Sequence, residues 1–176
     1  MHWKMGLIAL LLGAFSAAQA QQPRPNQWKD FDFLLGEWTW SGGGQPGQAK
    51  GTSTFEPDLN GTVLLRKVHL DYPASKERPA FSHDDLLYVY RDPGDGSLRA
   101  IFFDGENHVI RYAITVAPDA DSIQFLSDAA PSGTRARMTY TKTGVDSVTE
   151  KFELAPPGKP DQFATYVEFV AKKIGK

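Results

Sequence analysis

The chain has 176 residues, with 19 Lys and Arg against 21 Asp and Glu, a formal net charge of −2 and no cysteine. That length makes one domain, large enough to bury a core without covalent staples. The lack of cysteine excludes disulfides, thiolate metal sites and a cysteine nucleophile, and the absence of any basic run argues against a nucleic-acid partner.

Taken in chain order, His2 and Lys4 precede an apolar run from Leu7 to Ala18, and Ala18-Gln19-Ala20 places small residues where a signal peptidase reads. Residues 1–20 are therefore expected to be a removed signal peptide, which implies a periplasmic or secreted location. The run is too short for a stable membrane span, and no later stretch is long and apolar enough to supply one. Residues 21–30, opening QQPRPN, are expected to be a disordered leader, and residues 31–176 the folded domain. Trp28 to Leu35 has the composition of a short helical turn that closes one end of that domain.

From Gly36 onward the pattern is strand after strand, bounded by turn residues. The expected strands are Glu37–Ser41, Gln48–Glu56, Val63–Tyr72, Asp85–Arg91, Leu98–Phe103, His108–Val116, Ser122–Ser127, Arg135–Lys142, Val145–Leu154 and Gln162–Lys172. Gly42 to Gly47 is expected to be a loop. Asn60-Gly61 reads as a two-residue hairpin turn, because both residues tolerate positive φ. With no helix to serve as a crossover, the strands cannot be parallel. The fold expected is all-β, an up-and-down antiparallel barrel of about ten strands, since closure removes the exposed edges of so large a sheet.

Phe33-Leu34-Leu35 followed by Gly36-Glu37-Trp38 is the G-x-W pattern that opens the first strand of lipocalins and other calycins. With FDFLLGEWTWSG, YVYRDPGDGS and FFDGENHVIRY, the chain resembles a bacterial domain-of-unknown-function family of secreted lipocalin-like proteins, over most of residues 31 to 173. The resemblance implies a calycin barrel and no established reaction. It implies that Trp38 packs across the closed end, where lipocalins cover the Trp with an Arg near the last strand. No Arg follows Arg137 here, so Lys172 or Lys173 is the substitute. The chain is also distantly similar to nitrobindin-type haem barrels. Their iron ligand is a His near the C-terminus, whereas the last His here is His108, which argues against haem bound in that way.

Alternation along the strands predicts the inward set: Trp38 and Trp40 at the barrel floor; Leu64, Arg66, Val68, Leu70 and Tyr72; Leu86, Tyr88 and Tyr90; His108, Ile110, Tyr112 and Ile114; Ala136, Met138 and Tyr140; Val148, Glu150, Phe152 and Leu154; Phe163, Thr165, Val167 and Phe169. An apolar, aromatic interior carrying Arg66, Tyr88, Tyr90, His108, Tyr112, Tyr140 and Glu150 has the make-up of a small-molecule pocket. Arg66 and Glu150 must pair with each other or with a ligand, because an isolated buried charge costs several kcal/mol. The competing reading is a barrel filled by its own side chains.

Other constellations carry less. Ser82-His83-Asp84-Asp85 is expected to cap a loop rather than to ligate a metal. His69, between Lys67 and Asp71, is expected on the solvent face. No G-x-S-x-G elbow, paired-carboxylate site or phosphate-cradling loop is visible. The expected function is an exported barrel that binds a small hydrophobic molecule without a cofactor. The alternatives are an enzyme acting on a lipophilic substrate through His108 and Glu150, and a filled barrel that works through its loops.

Overall fold

A computed structural model describes residues 26–129 and 133–175. The expected signal segment and the first residues of the expected leader lie outside the described residues. Ten strands form one closed antiparallel barrel: β1 (Gly36–Gly44), β2 (Gly47–Asp58), β3 (Val63–Tyr72), β4 (Phe81–Arg91), β5 (Leu98–Asp104), β6 (Val109–Val116), β7 (Ser122–Ser127), β8 (Arg135–Gly144), β9 (Ser147–Ala155) and β10 (Ala164–Lys173). Each strand pairs with its neighbours in sequence, and β1 closes the ring against β10 with Trp40 opposite Ala171. The meander follows from connections of two to eight residues, most of them carrying Gly, Pro, Asn or Asp, between strands of alternating polarity.

Several boundaries differ from expectation for physical reasons. The glycines at 42–44 continue β1 instead of breaking it, and only residues 45 and 46 turn into β2. A Cβ at Gly42 would stand 2.2 Å from the Glu168 carbonyl oxygen and one at Gly44 2.0 Å from that of Tyr166, so glycine is what lets β1 seat against β10. The Asn60-Gly61 turn is wider than a two-residue hairpin: Leu59, Asn60 and Gly61 all have positive φ, at 48°, 57° and 76°. β4 starts at Phe81, four residues earlier than expected, so Ser82 to Asp85 is strand and not a loop cap.

One end of the barrel is shut. The 3-10 turn Lys29–Phe31 lies across it and buries Trp28, Phe31 and Leu34. Trp28 Nε1 donates to the Gly61 carbonyl at 2.9 Å, which clamps this cap onto the β2–β3 turn. Packed structure therefore begins before residue 31, inside the expected leader. Trp38 is buried directly above, its Nε1 donating to the Leu34 carbonyl at 2.8 Å. Lys173 Nζ lies 5.4 Å from the Trp38 ring centroid, so a lysine of the last strand does cover this tryptophan. One layer higher, Trp40 Nε1 donates to Ser53 Oγ at 2.7 Å and meets Tyr140 edge-on. Phe55, Leu64, Leu87, Val89, Ile123, Phe125 and Met138 complete a packed lower core.

Candidate functional site

Residues directly opposite one another on paired strands share a face, so the register fixes which side chains enter the lumen. Arg66 on β3 is opposite Phe55 on β2 and Leu87 on β4, both fully buried, and points inward. Tyr112, Tyr140 and Glu150 also point inward, as expected. Tyr88 and Tyr90 do not. Leu87 and Val89 take the inward positions of β4, and the two tyrosines are half-buried on the outer face with Leu86. Reading β4 from Phe81 puts Phe81, His83, Asp85, Leu87 and Val89 on one face, so the shorter expected strand points to the wrong face. On β10 a bulge between Thr165 and Val167 turns Thr165 outward, while Val167 and Phe169 stay inside. Phe163 precedes the strand and lies under the Arg137 guanidinium, 4.2 Å from its ring centroid.

Arg66 is the centre of the lumen's polar cluster, with only 2% of its surface exposed. Its Nη2 donates to Asp85 Oδ1 at 2.5 Å and its Nη1 to Glu150 Oε2 at 3.1 Å. The same Nη1 contacts the Tyr140 hydroxyl and sits 3.8 Å from the Met138 sulfur. The pairing that a buried Arg and Glu required is therefore present, with Asp85 as a second carboxylate beyond the expected set. Two atoms at the cluster, Arg66 Nε and the Tyr112 hydroxyl, are enclosed without a hydrogen-bond partner.

The electrostatics follow from burial and from this unequal pairing. Burial works against the Arg66 charge, but Asp85, Tyr140 and Glu150 together outweigh it and hold its pKa well above the usual value. Burial pushes the Glu150 carboxyl up; Arg66 opposes the shift and Asp85 adds to it. Tyr112 and Tyr140 are both raised, chiefly by burial.

Above this cluster the lumen opens. Phe81, Phe102, Ile110, Phe152 and Leu154 all face inward, yet each is only partly buried. Their register partners, such as Tyr72 opposite Phe81 and Met138 opposite Phe152, are buried core residues. Glu150 keeps 13% of its side chain accessible inside the closed barrel. The upper half is thus an apolar cup with an ionic floor. Its rim carries a parallel Tyr72–Phe81 stack with centroids 4.5 Å apart, and Arg78 from the β3–β4 loop lies 4.4 Å over Phe81. Burial pushes the Tyr72 hydroxyl up to about 12.

His108 stands outside the cup. Its side chain is 62% exposed and its Nδ1 is 2.7 Å from Asp104 Oδ2 in the β5–β6 turn. Among the described residues no hydrogen bond or ion pair joins it to Glu150, so the geometry does not assemble the acid–base pair an enzyme reading needs. Asp104, Glu106 and His108 cluster tightly enough to share a metal ion. His83 links this rim to the floor, with Nε2 3.7 Å from Asp85 Oδ2 and Nδ1 3.5 Å from Glu106 Oε1. His69 is on the outer face as expected, 2.7 Å from Asp84. No family model matches the chain, and no curated protein matches it.

Proposed function

We propose that the protein is an exported barrel that binds a small, largely apolar molecule in the cup above Arg66. The observation that carries this reading is the partial exposure of Phe81, Phe102, Ile110, Phe152 and Leu154 on the inside of a closed barrel whose lower half is packed. Apolar surface left open beside a few convergent polar groups is how small-molecule sites are built. The resemblance of FDFLLGEWTWSG and the other quoted segments to secreted lipocalin-like proteins supports the same reading, as does Lys173 over Trp38 in the place of the covering arginine. Tyr112, Tyr140, Arg66 and Glu150 form the floor, and Trp38 and Trp40 lie beneath it. Tyr88, Tyr90 and His108 take no part.

Titration with the neutral fluorophore N-phenyl-1-naphthylamine tests it. Saturable enhancement in the wild type, lost when Ile110→Arg places a charge in the cup wall, is the expected result. An unsaturable signal, together with a bare polypeptide mass in native mass spectrometry of protein purified from its own host, would favour a filled barrel acting through its loops. Export rests on residues 1–20, and N-terminal sequencing of the expressed full chain should find Gln21 first.

A further inference from the structure

With both carboxylates ionised, the floor of the cup carries one more negative charge than positive. Arg66 faces Asp85 and Glu150, two carboxylates against one guanidinium, in a place where Arg66 is 2% exposed. Each terminal nitrogen of Arg66 is already engaged and its Nε is enclosed, so it offers nothing to an incoming anion. Asp85 is taken up by Nη2 at 2.5 Å. Glu150 shares Nη1 with Tyr140 and Met138, at 3.1 Å, and is the member of the cluster with surface open to the lumen. The rim carries both signs, with the carboxylates of Asp104 and Glu106 beside His83 and His108 on one side and the Arg78 guanidinium over Phe81 on the other.

We propose that the cup takes an amphipathic amine, its ammonium group on Glu150 and its apolar tail along Phe81, Phe102, Ile110, Phe152 and Leu154. This rests on the binding reading above and adds the ligand class. An ammonium supplies the missing positive charge and donates to the accessible carboxylate, forming a charge-assisted hydrogen bond away from bulk water. A carboxylate or phosphate head at this floor would meet Asp85 and Glu150 with Arg66 already engaged by both, an unfavourable like-charge juxtaposition. An alcohol would leave the excess charge unanswered. The aromatic wall suits a cation on its way in, since ring faces attract ammonium and guanidinium groups. Arg78 over Phe81 and Lys173 over Trp38 show two rings of this chain already doing so.

Displacement of bound N-phenyl-1-naphthylamine by dodecylamine, dodecanol and dodecanoate, each kept monomeric at pH 7, decides between them. The amine is expected to displace the fluorophore at a concentration about tenfold or more below that of the alcohol, with the carboxylate weakest. Glu150→Gln is expected to remove the preference of amine over alcohol. Equal displacement by amine and alcohol, or tighter binding of the carboxylate, overturns the amine assignment and leaves the binding reading standing. Failure of the fluorophore itself to bind overturns both. Should the variant not fold, the wild-type comparison of the three head groups decides the ligand class by itself.

Discussion

Replacing Arg66 by methionine isolates what the ionic cluster does for the fold. Methionine keeps most of the apolar stem and its volume, so the change removes charge and hydrogen bonds more than packing. It leaves Asp85 and Glu150, with side chains 6% and 13% exposed, without the guanidinium that pairs with both. Removing one partner of a buried ion pair costs about 3–5 kcal/mol, because the remaining charge is left uncompensated. For a domain of this length about 1 kcal/mol moves Tm by roughly 2–4 °C, so Arg66→Met is expected to lower Tm by about 6–20 °C at pH 7. The deficit should shrink on acidification, since protonated carboxyls no longer need the guanidinium. The triple variant Arg66→Met, Asp85→Asn, Glu150→Gln should recover most of the loss at every pH. Thermal melts followed by circular dichroism at pH 7 and pH 4.5 measure all three effects. An Arg66→Met protein that melts within 2 °C of wild type at pH 7, or whose deficit does not change with pH, would refute the assignment of these groups as a dry, mutually dependent cluster.

Other changes probe the acid–base behaviour of the cup, the closed end and the outer face. Glu150 is raised by burial, so its folded form holds the proton more tightly than the unfolded chain does; the stability penalty is absent in acid and grows as pH rises through the raised value. Glu150→Gln should therefore gain on the wild type between pH 4 and pH 7 in urea denaturation, and a gap that closes with pH would contradict the shift. At the closed end, Trp38→Ala should cost about 3–5 kcal/mol through the cavity it opens. Lys173→Ala should cost only about 0.5–1 kcal/mol, and Lys173→Arg should match or exceed wild type in the same melts. A Cβ at Gly51 would lie 1.9 Å from the His69 carbonyl oxygen, so Gly51→Ala must part β2 from β3. Its expected cost exceeds about 2 kcal/mol, and amide exchange should quicken first at Gly51 and Leu70. On the outer face, the hydrogen bond to Asp84 raises the His69 pKa, so its contribution to stability is present at low pH and is lost as pH rises through that raised value. Asp84→Asn should lower the His69 midpoint in an NMR titration, and an unmoved midpoint would remove Asp84 as the cause.

The barrel is legible in the sequence because its signals are local. Val63–Tyr72 and Ser122–Ser127 match the observed strands end to end, and most other boundaries fall within two residues. Alternation also places Arg66, Tyr112, Tyr140 and Glu150 inside. What escapes the sequence are features that depend on a neighbour. Gly42 to Gly44 read as a loop because nothing in those residues announces that β10 needs the bare Cα atoms of Gly42 and Gly44, and β2 that of Gly43. Tyr88 and Tyr90 read as inward because a strand begun at Asp85 offers its tyrosines as the greasier face. Starting it at Phe81 adds an aromatic ring and an imidazole to the opposite face. Asp85 reads as the end of a loop cap for the same reason, although a buried Arg66 demands carboxylate company and Asp85 lies within reach. The bulge that reverses Thr165 has no mark in the sequence.

The position of the ionic cluster along the barrel axis explains more than its strength does. Below it, Trp38, Trp40, Phe55, Phe125 and Tyr140 pack together, with Tyr140 meeting Trp40, Phe55 and Phe125 edge-to-face. Packing of that kind would suffice to hold the strands, and apolar residues in place of Arg66, Asp85 and Glu150 would cost no desolvation. A charge trio there does what apolar residues cannot: it ends the aromatic core at a fixed level and turns the space above into a cup with a directional floor. His83, reaching from Asp85 toward Glu106, carries that polar track up one wall to the rim, while Phe102, Ile110 and Phe152 keep the remaining walls apolar. Under the proposed binding function, this division would place specificity in three charged side chains and affinity in the apolar wall. Changing the wall should therefore alter how tightly amphipathic molecules bind, and changing Glu150 should alter which ones do.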